Sequence, residues 1–532
     1  MADNENRVNA RVVYTLFGRR DIYSSVADLN EDNIVAEVNS ALAIHCENMM
    51  EEEYLYWYRR GLQPILNKTK EVRPEINATV VENHADEIVA FKNGFFLTQP
   101  ATYISRDPSA QDKINALNEY LFRSGKHEAD NTTIDWFHTV GKGVIFVEPG
   151  EDDEVPFRCY AIDPRSAFVV YDLRPGNKPL FAVNTVVDDE IVYADVYTAT
   201  RYFKLKGTYI GKYTTDKGFT VTVTEVVESG PNVLGKIPII EYRYNSVNMG
   251  SFESVVPLMD AMNQVTSDQM DGLDQFIQSL AIAVNCEFDE GTTANDIRKA
   301  GMLVLKSVGE NKADFKILSE QLNQSETQVF KNYLYNQMCR ICALPSADGR
   351  TYDSTGAAVL ASQGFYQADA AARNTEDLFK KSNKQFDAIV LDILKRKGLL
   401  SGLSLTDFEL QFVRNETANA QSKAQAAATM LGMGMAPELA FGKSGISNDP
   451  VADVKMSEKW LKLIWGDPDN PVEGGAPVGG QNAPAEVPVG GGRGGAAPEQ
   501  KSGGGRVKVS GGDQETNHNG EVWIEGYWQK RS

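Results

Sequence analysis

The stretch FESVVPLMDAMNQVTSDQMDGLDQFIQSL, residues 252–280, decides how the rest of the chain is organised. Its apolar residues recur at spacings of three and four, so on a helix they lie along one broad stripe. The stripe consists of Phe252, Val255, Val256, Met259, Met262, Leu273, Phe276 and Ile277. The pattern predicts one long amphipathic helix whose apolar side needs a partner.

A short insert and a second long helix follow this first helix. The runs GMLVLKS (301–307) and DFKILS (314–319) are typical of strands. Ser325 and Gln328 have the spacing of a capping box, which predicts a helix over ETQVFKNYLYNQMCRICA, 326–343. Two long helices are therefore expected to bracket a small α/β insert.

An exposed loop is predicted after the second helix. Pro345 ends that helix, because proline has no backbone N–H to donate and disfavours helix in the residue before it. Further on, Asp353, Ser354 and Thr355 are good N-cap residues for a helical pattern over 356–397. The stretch LPSADGRTYDSTG, 344–356, thus joins two long helices, and Arg350 is its one basic residue.

The sequence before residue 252 divides into a helical part and a strand-rich part. Periodic apolar residues predict helices over 33–66, 81–97 and 109–125. Between about 141 and 244, short apolar runs such as KGVIFVEP and AFVVYDL alternate with Pro, Gly and Asp turns, which is typical of strands. This order indicates an α+β fold and not an alternating nucleotide-binding βαβ series.

The sequence after residue 401 predicts a strand at 407–415 and helices at 418–431 and 449–465. Beyond Gly466, glycine and proline are so frequent that ordering the segment costs more entropy than its few apolar groups offset. A disordered tail is expected there, with a short docking strip at EVWIEGYW, 521–528.

Composition narrows the class of protein. A chain of 532 residues exceeds a single core and should form several packed regions. Its net charge of −20 disfavours a surface that grips nucleic acid, since such affinity comes mainly from Lys and Arg. Five scattered cysteines indicate a reducing compartment, and no apolar run reaches the length of a signal peptide core or a membrane span. We expect a soluble protein without a membrane partner.

Two motifs imitate functional sites. PELAFGKSG, 437–445, ends like a phosphate-binding loop, but Pro437 stands at the required first glycine and no strand precedes it. A polar turn capped by Ser444 is the better interpretation. Cys339 and Cys342 have C-x-x-C spacing without a second pair or histidines, which favours two small packed side chains over a zinc or redox site.

No catalytic constellation emerges from the remaining polar residues. The five histidines lie in no spacing typical of a triad or a metal-binding helix. The acidic run EDDE, 151–154, lacks the glycine-centred spacing of a calcium loop and indicates a solvated turn. We therefore predict a protein that is not an enzyme and has no cofactor and no metal.

The order of segments resembles the phage portal proteins, the head-to-tail connectors of long-tailed double-stranded DNA phages. The resemblance rests on YRRGLQPILNKTK, NATVVENHADEIVAFKNGFFLTQPATY, VGKGVIFV, AIDPRSAFVVYD, ADVYTATRYFKL and GKIPIIEYRYNSVNMGSFESVVPLMDAMNQVTSDQMDGLDQF. These stretches follow the family's order, and the last is the most specific. The resemblance covers roughly residues 54–458.

The resemblance implies a ring, usually of twelve subunits, at one vertex of a viral capsid. Double-stranded DNA enters and leaves through such a ring, which also binds the terminase large subunit, head-completion or adaptor proteins, and the major capsid and scaffolding proteins. The location it implies is the virion, with assembly in the host cytoplasm. The acidic charge fits a conduit, because strong phosphate neutralisation would trap a polyanion while an acidic wall repels it.

The resemblance also implies how an α+β portal fold would be divided. The parts are an N-terminal wing (1–251), a first stem helix (252–280), an α/β clip (281–324), a second stem helix (325–343), a tunnel loop (344–356), a long wing helix (357–401), a helical crown (402–465) and a disordered tail (466–532). In relatives the tunnel loop projects into the channel. Its DNA-facing residues here would be Ser346, Asp348, Gly349, Arg350, Thr351, Tyr352 and Ser354.

Three alternatives stay open from the sequence. The loop at 344–356 can be a solvent-exposed connection without DNA contact, as long loops often are. A non-viral helical scaffold or adaptor would also lack a catalytic site. A DNA-packaging ATPase is the third, although Pro437 argues against it.

Overall fold

The protein is described by a computed structural model. The residues that it describes are 18–71, 74–97, 99–106, 108–210, 220–277, 280–284, 286–287, 306–307, 314–318, 324–345, 364–412, 420–447, 450–465, 521–524 and 527–530. They form a mixed helix and sheet fold, which confirms the predicted α+β class.

The helices are α1 (Ile34–Arg59), α2 (His84–Phe96), α3 (Gln111–Arg123), α4 (Lys126–Val140), α5 (Val256–Ile277), α6 (Gln324–Ile341), α7 (Phe365–Arg396), α8 (Ala420–Gly432), α9 (Pro437–Ser444) and α10 (Pro450–Trp465). Short 3-10 turns cover Pro64–Asn67, Pro108–Ala110 and Glu253–Val255. Among the described residues, no helix combines the length and the apolar character that crossing a bilayer takes.

The strands are β1 (Ile22–Ser24), β2 (Thr102–Ser105), β3 (Lys142–Pro149), β4 (Phe157–Ile162), β5 (Ala167–Asp172), β6 (Pro179–Asp188), β7 (Ile191–Thr198), β8 (Arg201–Ile210), β9 (Thr220–Pro231), β10 (Ile239–Arg243), β11 (Leu280–Val284), β12 (Cys286–Glu287), β13 (Lys306–Ser307), β14 (Asp314–Leu318), β15 (Phe408–Gln411), β16 (Glu521–Ile524) and β17 (Tyr527–Lys530). Six of them form a sheet in the order β1-β5-β6-β7-β8-β9, and β10-β3-β4 form a second sheet.

The six-stranded sheet is antiparallel except for the parallel pair β1–β5. Alternation of apolar and polar residues gives it one buried face, as in β7, where Val192, Ala194 and Val196 are fully buried. Helix α1 covers that face, and its Val38 and Leu42 belong to the same apolar cluster. Asn39 of α1 also bonds both the N–H and the C=O of Val223, which satisfies part of the sheet edge at β9.

A second apolar cluster surrounds α7. Phe379 and Phe386 of α7 are fully buried against Phe137 of α4 and Tyr242 of β10. The pairing of β15 with β2 places Phe408 beside Ser105 and so returns the chain after α7 to the helices of the N-terminal part. A third cluster joins α1 and α2 to α5 and α6, through residues such as Tyr58, Phe252 and Met338.

The predicted helices are largely confirmed, with three corrections at their boundaries. The first long helix ends at Arg59, before Gly61 and Pro64, and not at Leu66. Helix α6 begins at Gln324, so Ser325 lies inside it and the predicted capping box at Ser325 is wrong. Helix α5, predicted over 252–280, covers Val256–Ile277, and strand β11 begins at Leu280.

Two helices were not predicted at all. Helix α4 has buried polar residues, Asp130, Thr133 and His138, among its apolar ones, which hides its period. Helix α9 covers Pro437–Ser444, where a polar turn was predicted, and it ends at Gly445, whose φ is +67°. Proline at the first helical position and glycine after the last one suit both ends of this helix.

Several predictions concern residues that are not described. The predicted strand at 301–307 is seen only at Lys306–Ser307, and the predicted start of the third long helix at 356 lies outside the described residues. The predicted disordered tail lies outside them too, apart from the hairpin β16–β17, in which Trp523 is the register partner of Trp528. This hairpin belongs to a separate compact unit, residues 459–532, while residues 1–458 form the other.

Candidate functional site

The end of α6 fixes the point from which the predicted loop departs. Leu344 donates its backbone N–H to Cys339 O at 2.8 Å and Ala343 donates to Arg340 O at 3.4 Å, the two bonds of a Schellman motif. Ala343 takes the left-handed residue of that motif, with φ of +53°. Pro345 follows directly, so the helix cannot continue.

The chain returns to the same point at Gly364. A Cβ atom on Gly364 would lie 3.6 Å from Leu344 O and 3.7 Å from the Cα of Pro345. Gly364 has φ of +83°, and its carbonyl accepts the N–H groups of Gln367 and Ala368 in the first turn of α7. The eighteen residues 346–363 therefore connect two points of the backbone that lie close to each other.

This loop base, which we define as Ala343–Pro345 together with Gly364, lies on the third apolar cluster. Leu344 is buried in the same apolar cluster as Phe252, which precedes α5, and Met259 of α5. The thiol of Cys342 points at Ser251 O, at 3.6 Å, and burial raises its pKa to about 12. Cys339 and Cys342 are thus buried thiols that pack, as predicted, and the loop starts from a fixed point.

The residues predicted to face DNA lie within 346–354: Ser346, Asp348, Gly349, Arg350, Thr351, Tyr352 and Ser354. All of them are outside the described residues, so their contact with DNA stays a prediction. What the structure brings together is the pair of residues that flank the segment, Pro345 and Gly364.

Helix α5 is held to the N-terminal part by a ladder of hydrogen bonds that the sequence analysis missed. Asn263, Ser267 and Asp271, spaced by four and therefore on one side of the helix, accept backbone N–H groups from an extended segment. Asn263 accepts from Glu82 at 2.9 Å, Ser267 from Val80 at 2.9 Å and Asp271 from Ala78 at 2.6 Å. The signal was available as a polar i, i+4, i+8 series beside the apolar stripe.

Asp271 also neutralises cations at the far end of this ladder. Its carboxylate lies 2.8 Å from Lys68 Nζ and also contacts Lys70 Nζ. Burial opposes ionisation, but the hydrogen bonds from Lys68, Lys70 and the Ala78 N–H lower the pKa of Asp271 to about 2. The ladder thus ends in a charged contact that is complete at neutral pH.

Glu82 connects both long helices to the start of α2. Its carboxylate accepts from Thr266 of α5 and lies 2.6 Å from Lys331 Nζ of α6. His84 bridges Glu82 at 3.0 Å and Glu87 at 2.6 Å, and Glu87 accepts the hydroxyl of Tyr335 at 2.6 Å. Burial lowers the pKa of His84, but the two carboxylates outweigh it and raise the pKa to about 9..

The paired helices α5 and α6 both carry large apolar residues that face solvent. On α6, Val329 is 69% exposed, Phe330 50% and Tyr333 57%. On α5, Met270 and Leu273 are also more than 40% exposed. We call these five residues the exposed stripe. Large apolar side chains exposed in a group mark a surface that a partner can cover.

The motifs that imitate catalytic sites do not form such sites in the described residues. Lys443 and Ser444 lie in helix α9, after α8, so no buried strand leads into them as a phosphate-binding loop requires. Ser444 donates its hydroxyl to Phe441 O at 3.1 Å. The EDDE run forms bends between β3 and β4, as predicted, and no cluster of metal-ligating side chains occurs among the described residues.

The sequence of this chain is similar to those of known proteins. Residues 43–462 match the model of the family described as "Phage portal protein, SPP1 Gp6-like". A curated relative, the "Portal protein" of Bacillus phage SPP1, is 23% identical over 249 residues. The match covers 45% of this chain and 47% of the relative, so the chain spans about half the length of the curated relative it matches.

Proposed function

The chain belongs to the SPP1 Gp6-like phage portal proteins, and on that premise we propose that it assembles into a ring at one capsid vertex through which double-stranded DNA passes. The family is a structural one and not an enzymatic one. Packaging and ejection would both use this conduit. The number of subunits that we propose is twelve.

The exposed stripe is the observation that carries the proposal. Fully burying a side chain such as Val or Phe contributes about 1.5–3 kcal/mol relative to leaving it exposed, and Val329, Phe330 and Tyr333 are half or more exposed in one chain, so they leave a large part of this stabilisation unused. Neighbouring copies in a ring can cover such a stripe in every subunit at once. The acidic charge of −20 adds to this, because an acidic conduit repels the DNA that it must release.

We propose the following division for the assembled ring. Residues 1–251 form the wing, 252–280 and 325–343 the two stem helices, 281–324 the clip, 344–356 the tunnel loop, 357–401 the long wing helix, 402–465 the crown and 466–532 a tail. The clip would dock the terminase large subunit and later the head-completion or adaptor proteins. The outer parts would contact the major capsid and scaffolding proteins in the virion.

The loop base supports the assignment of the tunnel loop. Since Pro345 and Gly364 lie close to each other, the segment between them is tethered at both ends to one buried point. The ends of α6 and α7 fix where residues 346–363 leave and rejoin the described fold. We propose that Arg350 and its polar neighbours in this segment meet the DNA phosphates weakly.

Light scattering after size exclusion tests the proposed ring. The full chain should elute as a closed oligomer of many copies, and Phe330→Asp on the exposed stripe should shift it to monomers. Phe122→Asp is the matched control, because Phe122 is 79% exposed on α3, outside the stripe. A wild-type chain that stays monomeric or dimeric at all concentrations contradicts the ring and favours a helical adaptor.

A further inference from the structure

A cleft of about 500 Å³ with several charged side chains in its lining lies beside the six-stranded sheet and has no role in the proposed conduit. Its walls come from β1, the β5–β6 turn, β10 and α7. The lining side chains include three cations, Lys178, Arg243 and Lys381, against one carboxylate, Glu241. In a chain with a net charge of −20, this local excess of positive charge is unusual.

The floor of the cleft is already neutralised. Arg243 lies 2.8 Å from Asp21, and Glu241 accepts the hydroxyl of Tyr171 at 2.8 Å with Lys142 Nζ 3.8 Å from its carboxylate. These groups satisfy one another and leave little charge for a ligand. The attraction of the cleft for anions therefore comes from its rim.

The rim carries two lysines that form no ion pair with a described residue, although after the hydrogen bonds from Arg174 the charge of Lys178 also helps to lower the pKa of Asp172. Lys178 and Lys381 are both exposed, and neither lies within 4.0 Å of a carboxylate of the described residues. Asp172, the acidic residue nearest in sequence to Lys178, is paired with Arg174 at 2.5 Å. Between the lysines, Tyr23, Pro179 and Leu378 give the cleft apolar walls.

A surface with the opposite character lies at the other end of strand β6. There the β6–β7 turn presents Asp188, Asp189 and Glu190, all exposed and without an ion pair to a described residue. Val186 and Ile191 beside the turn are 52% and 37% exposed. The turn therefore combines three negative charges with apolar side chains, and we call it the acidic tip.

The positions of the two surfaces suit contact between copies. Pro179, the first residue of β6, lines the cleft, whereas Asp188 is the last residue of β6. A strand rises about 3.3 Å per residue, so the two surfaces lie about 30 Å apart on one rigid sheet and cannot meet within a chain. A ring requires two different complementary surfaces on each subunit, one for each neighbour.

We propose that the acidic tip of one subunit docks in the lysine-rimmed cleft of the next, with Asp188 and Glu190 facing Lys178 and Lys381. The occupant of the cleft is thus a second copy of this chain. This inference rests on the proposed ring. It names a contact that would set how the wing of one subunit is oriented against the wing of the next. Paired charges of this kind set orientation and partner choice more than total affinity.

A charge swap in the full chain tests the contact. Lys178→Glu with Lys381→Glu reverses the cleft, and Asp188→Lys with Glu190→Lys reverses the tip; Asp189 is left unchanged because its φ is +57°. Each reversal should raise the protein concentration for half-assembly by about tenfold or more, through like-charge repulsion. The variant with both reversals should return to within about threefold of wild type.

Two further arms make the result decisive. Glu151→Lys with Glu154→Lys changes the net charge as the tip variant does, at another exposed turn, and should assemble as wild type. Carbodiimide coupling of mixed ¹⁴N and ¹⁵N rings should join Lys178 or Lys381 of one copy to the tip of another. Wild-type assembly by the cleft variant, or no rescue by the double reversal, overturns the proposal while the ring itself stands. If the wild-type chain forms no rings, both the proposed contact and the proposed ring are wrong. This outcome is seen before any variant is made.

Discussion

Asn263 on α5 accepts the backbone N–H of Glu82 at 2.9 Å, although 181 residues separate the two along the chain. Asn263, Ser267 and Asp271 accept the backbone N–H groups of the extended segment 78–82, as the carbonyl groups of a neighbouring strand would in a sheet. Since buried backbone N–H groups need partners, this ladder fixes the position of α5 along its axis relative to the segment 78–82. In the proposed ring, the ladder would hold the first stem helix to the wing.

Asp271→Asn should weaken the protein at neutral pH and lose its effect in acid. Hydrogen bonds from Lys68 and Lys70 outweigh burial and hold the pKa of Asp271 at about 2, below the value of about 4 in an unfolded chain. Its contribution to stability is therefore complete above pH 4 and lost as the pH falls toward 2. Urea unfolding at pH 7 and at pH 3 measures the difference.

The exposed Asp274→Asn is the control for this prediction, since it lies one turn further along α5. It should leave the urea midpoint unchanged at both values of pH. Equal losses for Asp271→Asn at pH 7 and pH 3 would show that the charge is not what holds the segment.

Asp387→Asn should make the stability of the protein depend less on pH. Asp387 acts in the opposite sense to Asp271, because it destabilises the wild-type protein as the pH rises. Burial raises the pKa of Asp387 to about 7, although the hydroxyl of Tyr103 and the amide of Asn383 both donate to its carboxylate. Between about pH 4 and pH 7 the folded state keeps a proton that the unfolded state releases, so Asp387 makes the protein less stable as pH rises through this window.

The asparagine keeps an oxygen that accepts from Tyr103 and Asn383 but cannot ionise. The free energy of unfolding of the variant should therefore rise relative to that of wild type between pH 4 and pH 8. Asp377→Asn, at an exposed position of α7, serves as the comparison. Thermal melts across this range decide the matter: parallel curves for wild type and Asp387→Asn would mean that Asp387 stays ionised in the folded protein.

Ala343→Gly should stabilise the protein, which is unusual for a change from alanine to glycine. Ala343 has φ of +53° at the end of α6, where an L-residue is strained and glycine is not. We expect a gain of about 0.5–1 kcal/mol, after the greater chain entropy of glycine is subtracted. The urea midpoint at fixed protein concentration is the measurement.

Ala428→Gly, exposed within α8, is the matched control and should destabilise by about 1 kcal/mol. A loss of stability for both variants would contradict the left-handed end of α6.

Arg350→Ala should leave folding and assembly intact but reduce DNA packaging or the retention of packaged DNA. An exposed contact between one arginine and a phosphate contributes on the order of 1 kcal/mol or less, which suits a strand that must slide. Arg350→Glu should be worse, because it adds repulsion. The measurement is DNase-protected genome per capsid, after ring size and melting temperature have been confirmed.

Arg373→Ala, on the exposed side of α7, controls for the loss of one positive charge. Wild-type protection by both Arg350 variants would eliminate this residue as a DNA contact. Failure of either variant to form rings would show instead that residues 346–363 help to build the ring.

The sequence by itself determined the fold class and most of the long helices. Helix α5 was predicted because residues such as Val256, Met259 and Met262 repeat at helical spacing within one short window, where the pattern depends only on which side faces the core. The strands of the large sheet were visible for the same reason, since Val192, Ala194 and Val196 alternate. The order of these segments also carried the resemblance to the portal family, which the family match confirmed.

Only the tertiary structure decided what these elements hold together. Three examples are the approach of Gly364 to Leu344, the bond from Glu82 to Asn263, and the cleft lined by both Lys178 and Lys381, each of which brings together residues that are distant along the chain. Helix α4 escaped prediction because Asp130, Thr133 and His138 are buried among its apolar residues, and the contact of His138 with Asn93 of α2 exists only in the folded chain. Local periodicity records which side of an element is buried, whereas the identity of the partner depends on contacts between distant residues, and these exist only once the chain has folded.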